Sequence, residues 1–120
     1  MSPRPDIYVC SSQDSIENIN KVKSLGAVFI YPTSPEMQDV LHSQNDKVVV
    51  IIDDDGDFAE TTAAYFLYFG ASAVHIFTNP LMALKQLEDL NPDTVITDLE
   101  MPELSGFAVL DAIGKMDFEK

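Results

Sequence analysis

The chain has 120 residues and a mass of 13.3 kDa, enough for one hydrophobic core and too little for two. Apolar residues make up 46% and charged ones 22%, the balance of a globular protein and not of a disordered one. Seven basic residues against 20 acidic ones leave a formal charge of −13, so nucleic acid and anionic membrane surfaces are not expected partners.

The lysines are scattered and form no basic patch. The single Cys10 rules out an internal disulfide framework and suits a reducing, cytoplasmic compartment. The apolar run Val48 to Ile52 has five residues and the longest, Ala63 to Phe69, has seven, too few to span a bilayer. The opening Met-Ser-Pro-Arg-Pro has no apolar stretch of the kind a signal peptide carries.

In chain order, short runs rich in Val, Ile, Phe and Tyr alternate with segments of helical spacing. The runs Ile7–Cys10, Ala27–Tyr31, Val48–Ile52, Ala73–Phe77 and Thr94–Thr97 have strand composition. After the first, Ile16, Ile19 and Leu25 lead to Gly26, a helix C-terminal signal. Met37, Val40 and Leu41 follow Pro35, which suits a first helical turn. Phe58, Thr62, Tyr65 and Phe69 form the next stripe and stop at Gly70. Leu84, Leu87 and Leu90 follow Asn79-Pro80, a capping residue and a first-turn proline. Phe107, Leu110 and Ile113 make the last stripe. Strands alternating with helices through short turns predict a doubly wound α/β fold with a parallel five-stranded sheet covered on both faces.

The acidity is uneven. Residues 1–46 carry three basic and six acidic side chains, whereas residues 47–120 carry four and fourteen. Four of those acids fall in Asp53-Asp54-Asp55-Gly56-Asp57, directly after an apolar run, and Asp98 follows another. In a doubly wound sheet, functional groups gather beyond the carboxyl ends of the strands where the strand order reverses. If these two strands are neighbours, three carboxylates share one cleft, and their repulsion calls for a hard, oxygen-seeking cation such as Mg²⁺. An aspartate after a strand also commonly caps the next helix; that role accounts for one of these residues, not for three.

The stretch Val95-Ile96-Thr97-Asp98-Leu99-Glu100-Met101-Pro102-Glu103-Leu104-Ser105-Gly106 resembles the phosphoacceptor segment of response regulator receiver domains, CheY-like proteins with a flavodoxin-like fold. That family carries proline four residues and glycine eight residues after its aspartate, as Pro102 and Gly106 stand here. Val49-Val50-Ile51-Ile52-Asp53-Asp54-Asp55 resembles the family's first strand and acidic pair. Residues 47–117 thus resemble its first three βα units. Residues 2–43 resemble its last two units, with Ser11 at the hydroxyl position that senses the phosphoryl group and 44–46 as the junction. The second half of the fold therefore precedes the first. A circular permutant, a fragment across the junction of two tandem receivers, and part of a longer chain all give this order; halves exchanged between two chains would give a dimer.

The resemblance implies a two-component phosphoacceptor, with Asp98 phosphorylated by a histidine kinase or phosphotransfer protein and the signal passed to an output domain or protein. It implies Mg²⁺ held by Asp53, Asp54, Asp98 and the backbone carbonyl of Glu100, with Asp53 acting through water. One position departs from the pattern: Tyr31 stands where the family has a lysine before the proline, here Pro32. Val28 stands at the aromatic switch position. A tyrosine supplies no charge to a phosphoryl oxygen, which predicts a weak or altered response. A degenerate receiver that acts by protein contact without phosphorylation is therefore the first alternative. The second is a haloacid-dehalogenase-like phosphatase, with Asp53 as nucleophile and Asp55 as general acid, because Asp53-Asp54-Asp55-Gly56 is close to that family's first motif.

Overall fold

In the computed structural model, which describes residues 4–12 and 14–118, five strands alternate with five helices. They run β1 (Asp6–Cys10), α1 (Ile16–Ser24), β2 (Val28–Ile30), α2 (Pro35–His42), β3 (Val48–Ile52), α3 (Gly56–Tyr68), β4 (Ala73–Phe77), α4 (Pro80–Leu90), β5 (Thr94–Thr97) and α5 (Gly106–Gly114). The helices begin where small polar side chains satisfy free amide groups. Ser15, Ser34, Asp55, Asn79 and Ser105 each accept a backbone N–H of the first turn. Pro35 and Pro80 occupy first-turn positions, where no N–H is missed. The first helix ends before Gly26 at φ 87° and the third before Gly70 at φ 101°, a region in which a Cβ is costly.

All strand pairs are parallel, in the order β2-β1-β5-β3-β4. Counted from β3 onward, with β1 and β2 taken after β5, this is 2-1-3-4-5, the flavodoxin-like order. The middle strands β3 and β5 are buried almost throughout, as expected of strands covered on both faces. One helical layer packs Val22, Ala83, Leu87, Val109, Leu110 and Ile113 against Ile7, Val9, Val50, Ile52 and Val95. The other packs Met37, Val40, Leu41, Ala59, Ala63 and Phe66 against Cys10, Ile30, Val49, Ile51 and Ile96. The residues joining α2 to β3 are tied down: the Asp46 amide donates to Gly70 O at 2.8 Å and the Thr94 hydroxyl donates to the side-chain carbonyl of buried Gln44.

Two sequence expectations are corrected here. The buried stripe of α3 is Ala59, Thr62, Ala63 and Phe66, not the stripe through Phe58 and Tyr65. Tyr65 is exposed, because α3 lies close on a sheet of Val and Ile and places small residues at the contact. The strand expected over Ala27–Tyr31 is shorter, Val28–Ile30, since β1 gives it partners only at Tyr8, Val9 and Cys10.

Candidate phosphoacceptor site

The register of the sheet assembles the site. Ile52 lies opposite Thr97, so Asp53 and Asp98 leave the sheet side by side at the strand ends. The Asp98 amide donates to Ile52 O at 2.9 Å and the Asp53 amide to Phe77 O at 3.0 Å, which anchors both residues at the strand ends. On the other side of β5, Val9 lies opposite Thr97, so Cys10 and Ser11 pass beside Asp98. Topology thus brings the beginning of the chain to residues some ninety positions later.

Oxygens of Asp53, Asp54 and Asp98 all lie within 4.8 Å of one another. Asp53 is buried, Asp98 half-buried and Asp54 exposed. Burial, with the charges of Asp98, Asp54 and Asp55 adding to it, pushes the Asp53 carboxyl up from 3.8 to about 6, although the Asp55 amide donates to its Oδ1 at 2.9 Å and opposes the rise. Asp98 is also raised, by burial first; the Leu99 amide, donating to its Oδ1 at 2.7 Å, works the other way, and the Asp54 charge adds to the rise. Carboxylates crowded in this way are unfavourable in the ionised form. Three oxygen donors with an open side suit a hard divalent ion that keeps some of its water.

The cavity in front of Asp98 has a volume of about 450 Å³ and is lined by Cys10, Ser11, Ser12, Pro32, Asp53, Asp55, Phe58, Asp98 and Glu100. Ser11 and Glu100 thus line the same cavity as Asp53 and Asp98. Tyr31 does not line this cavity. It is 44% exposed and stands edge-on to Phe29 at 5.2 Å, beside the neighbouring groove. Val28 is exposed on edge strand β2. Asp55 accepts the Phe58 amide at 3.2 Å and caps α3.

Sequence reasoning assigned Cys10 to the core and did not connect it with the site. It is buried and lines the cavity as well, and burial with the Asp53 and Asp98 charges pushes its thiol up to about 12. Phe58, read as part of a helix stripe, also forms a wall of this cavity. The loop after Asp98 folds back on α5: the Gly106 amide donates to Leu99 O at 2.7 Å, and a Cβ at Gly106 would lie 2.5 Å from Asp98 O and 2.9 Å from Leu99 Cα. That close approach is a physical reason for glycine eight residues after the aspartate.

The family model for the response regulator receiver domain matches residues 49–119. The chain belongs to the response regulator receiver domain family. The matched span runs from β3 through α5 and includes Asp53, Asp54 and Asp98. As a receiver domain the protein is a signalling domain of two-component systems with a phosphoacceptor role, not a classical enzyme, and receiver domains bind Mg²⁺ through acidic residues such as those clustered here. No curated protein and no solved structure matches the chain. Among the described residues, no helix is long and apolar enough to cross a membrane.

Proposed function

We propose that Asp98 is the phosphoacceptor of this receiver and takes its phosphoryl group from a phosphohistidine on a histidine kinase or phosphotransfer protein. A carboxylate oxygen of Asp98 attacks phosphorus, an acyl phosphate O–P bond forms, and the P–N bond to the histidine ring breaks. The ring nitrogen takes a proton from solvent. Such a transfer needs positioning and charge neutralisation above all. The single observation that carries this reading is the meeting of Asp53, Asp54 and Asp98 oxygens within 4.8 Å at the mouth of a cavity that Ser11 also lines.

Mg²⁺ would be held by Asp54 and Asp98, with Asp53 acting through water and the Glu100 carbonyl completing the set; the ion supplies positive charge against the phosphoryl oxygens. Ser11 is the hydroxyl that would bond a phosphoryl oxygen, and its place directly after β1, before α1, would link that event to the surface. The output domain or protein would read that surface. The cytoplasm, where two-component phosphotransfer takes place, is the setting this reading requires.

The test is mass spectrometry after treatment with acetyl phosphate and Mg²⁺. Wild type should gain one phosphoryl group and Asp98→Asn none. A wild type that stays unmodified would favour the degenerate reading, a protein-contact module. One observation supports that second reading: among the described residues no cationic side chain lines the cavity, and Tyr31 stands where the family has lysine.

The domain order is best explained as a circular permutation, with 2–43 as the last two βα units, 44–46 as the junction and 47–117 as the first three. Support comes from the strand order, which becomes 2-1-3-4-5 when counted from β3, and from a family match confined to 49–119. Permutation is tolerated when the old termini can be bridged and the new ones open on the surface. A sizing column tests for halves exchanged between chains: one chain closing on itself elutes at 13.3 kDa, and an exchanged pair elutes at about twice that mass.

A further inference from the structure

The cavity at Asp98 adjoins a second, more open groove of about 560 Å³ lined by Ser12, Asp14, Tyr31 and Glu100. Ser12 and Glu100 belong to both, so the groove borders the cavity that Asp98 lines. Its walls are a tyrosine ring, held edge-on by Phe29, two carboxylates and a hydroxyl. This combination suits a long cationic side chain, whose stem lies along an aromatic face and whose head meets carboxylates.

The described residues offer no such side chain. Among the described residues, Lys21 stands over the Phe107 ring at 4.4 Å and Lys115 pairs with Asp111 at 3.2 Å. Arg4 lines a cavity with Gly26 at the other end of the sheet, and Lys47 precedes β3 at that same end. Lys23 lies in the last turn of α1 and Lys85 on α4. None of them lines either space. Asp53, Asp55, Asp98 and Glu100 share the acceptor cavity, and phosphorylation adds further negative charge there. A divalent ion offsets only part of it.

We propose that the groove beside Tyr31 receives a lysine or arginine side chain from a partner protein, which supplies in trans a cation that no described residue of this chain brings to the cavity at Asp98. The occupant is a basic partner and not a second copy, because two chains of charge −13 repel one another. The inference rests on Asp98 being the acceptor and adds that stable phosphorylation depends on complex formation.

The test uses the full chain with acetyl phosphate and Mg²⁺ at constant ionic strength, and mass spectrometry to follow the phosphorylated fraction and its decay. Methylguanidinium and butylammonium are the probes, and tetramethylammonium is the control for non-specific charge. The first two should prolong the phosphorylated state at least threefold over the control. Tyr31→Lys, at an exposed position, should show the long lifetime without any probe and lose its response to them. Tyr31→Phe should respond as wild type does. Equal lifetimes with probe and control overturn the proposal while leaving Asp98 as acceptor. A lifetime that rises with protein concentration alone, without probes, would place a second copy in the groove and also overturn it. Absence of phosphorylation in every arm removes the acceptor reading and this inference together.

Discussion

Replacing Asp53 by asparagine should make the metal-free protein more stable, although the change removes a residue of the proposed metal-binding set. The Asp53 carboxyl is raised from 3.8 to about 6 in the folded protein, chiefly by burial. Each pKa unit corresponds to 1.36 kcal/mol, so holding this group ionised costs the fold roughly 3 kcal/mol. The folded state binds the proton more tightly than the unfolded chain does. The stability this group contributes is therefore fully present below about pH 4 and is lost as pH rises through about 6. Asparagine is neutral throughout and keeps an oxygen to accept the Asp55 amide, a bond of 2.9 Å in the native protein.

In EDTA, the two proteins should melt together near pH 4, and Asp53→Asn should melt roughly 10 °C higher at pH 7.5, taking about 4 °C per kcal/mol for a domain of this size. Calorimetry or circular dichroism across pH 4 to 7.5 reads this gap. Adding Mg²⁺ at tenfold its dissociation constant should return about 1.4 kcal/mol to wild type, and less to the variant. A gap that does not change with pH, or a variant that melts lower at pH 7.5, would refute the reasoning that burial dominates at this carboxylate.

Gly106→Ala should destabilise the fold by about 2 kcal/mol or more and lower phosphorylation, because the added Cβ meets Asp98 O and Leu99 Cα; melting and phosphate incorporation check both effects. Phe66→Ala should cost about 3–5 kcal/mol and Tyr65→Ala less than about 0.5, since Phe66 is fully buried and Tyr65 exposed; urea unfolding of the pair shows which face of α3 meets the sheet. Cys10, buried and with its thiol pushed up to about 12, should react with Ellman's reagent at least a hundredfold more slowly in the native protein than in guanidinium. Fast native labelling would mean that the end of β1 is open to solvent.

Much of the site was legible in the sequence because its chemistry lies where local signals are strong. Val48–Ile52 and Thr94–Thr97 are short, β-branched runs that end in aspartate, and an acid at the end of a buried parallel strand is hard to read as anything but a strand-end group. Asn79 before Pro80 likewise marked a helix start through a bond made within a few residues, whereas the caps Ser15, Ser34 and Ser105 came only with the structure. The amphipathic reading failed on α3. Tyr65 and Phe69 repeat at helical spacing as well as Ala63 and Phe66 do, and periodicity gives no information on which stripe meets the sheet. That choice belongs to the space beneath the helix, where Val49 and Ile51 leave room for alanine and one phenylalanine.

The order of residues determined the alternation of strands and helices, the parallel sheet those crossovers require, and the acidic ends of two of its strands. Only the tertiary structure decided that β5 lies between β1 and β3, and with it that Ser11 and Cys10 share a cavity with Asp53 and Asp98. Strand neighbours are chosen by long-range hydrogen bonds and by helices closing over both faces, which no local pattern encodes. The same packing set Tyr31 outside the cavity at Asp98 and left its carboxylates without a cation from the described part of the chain.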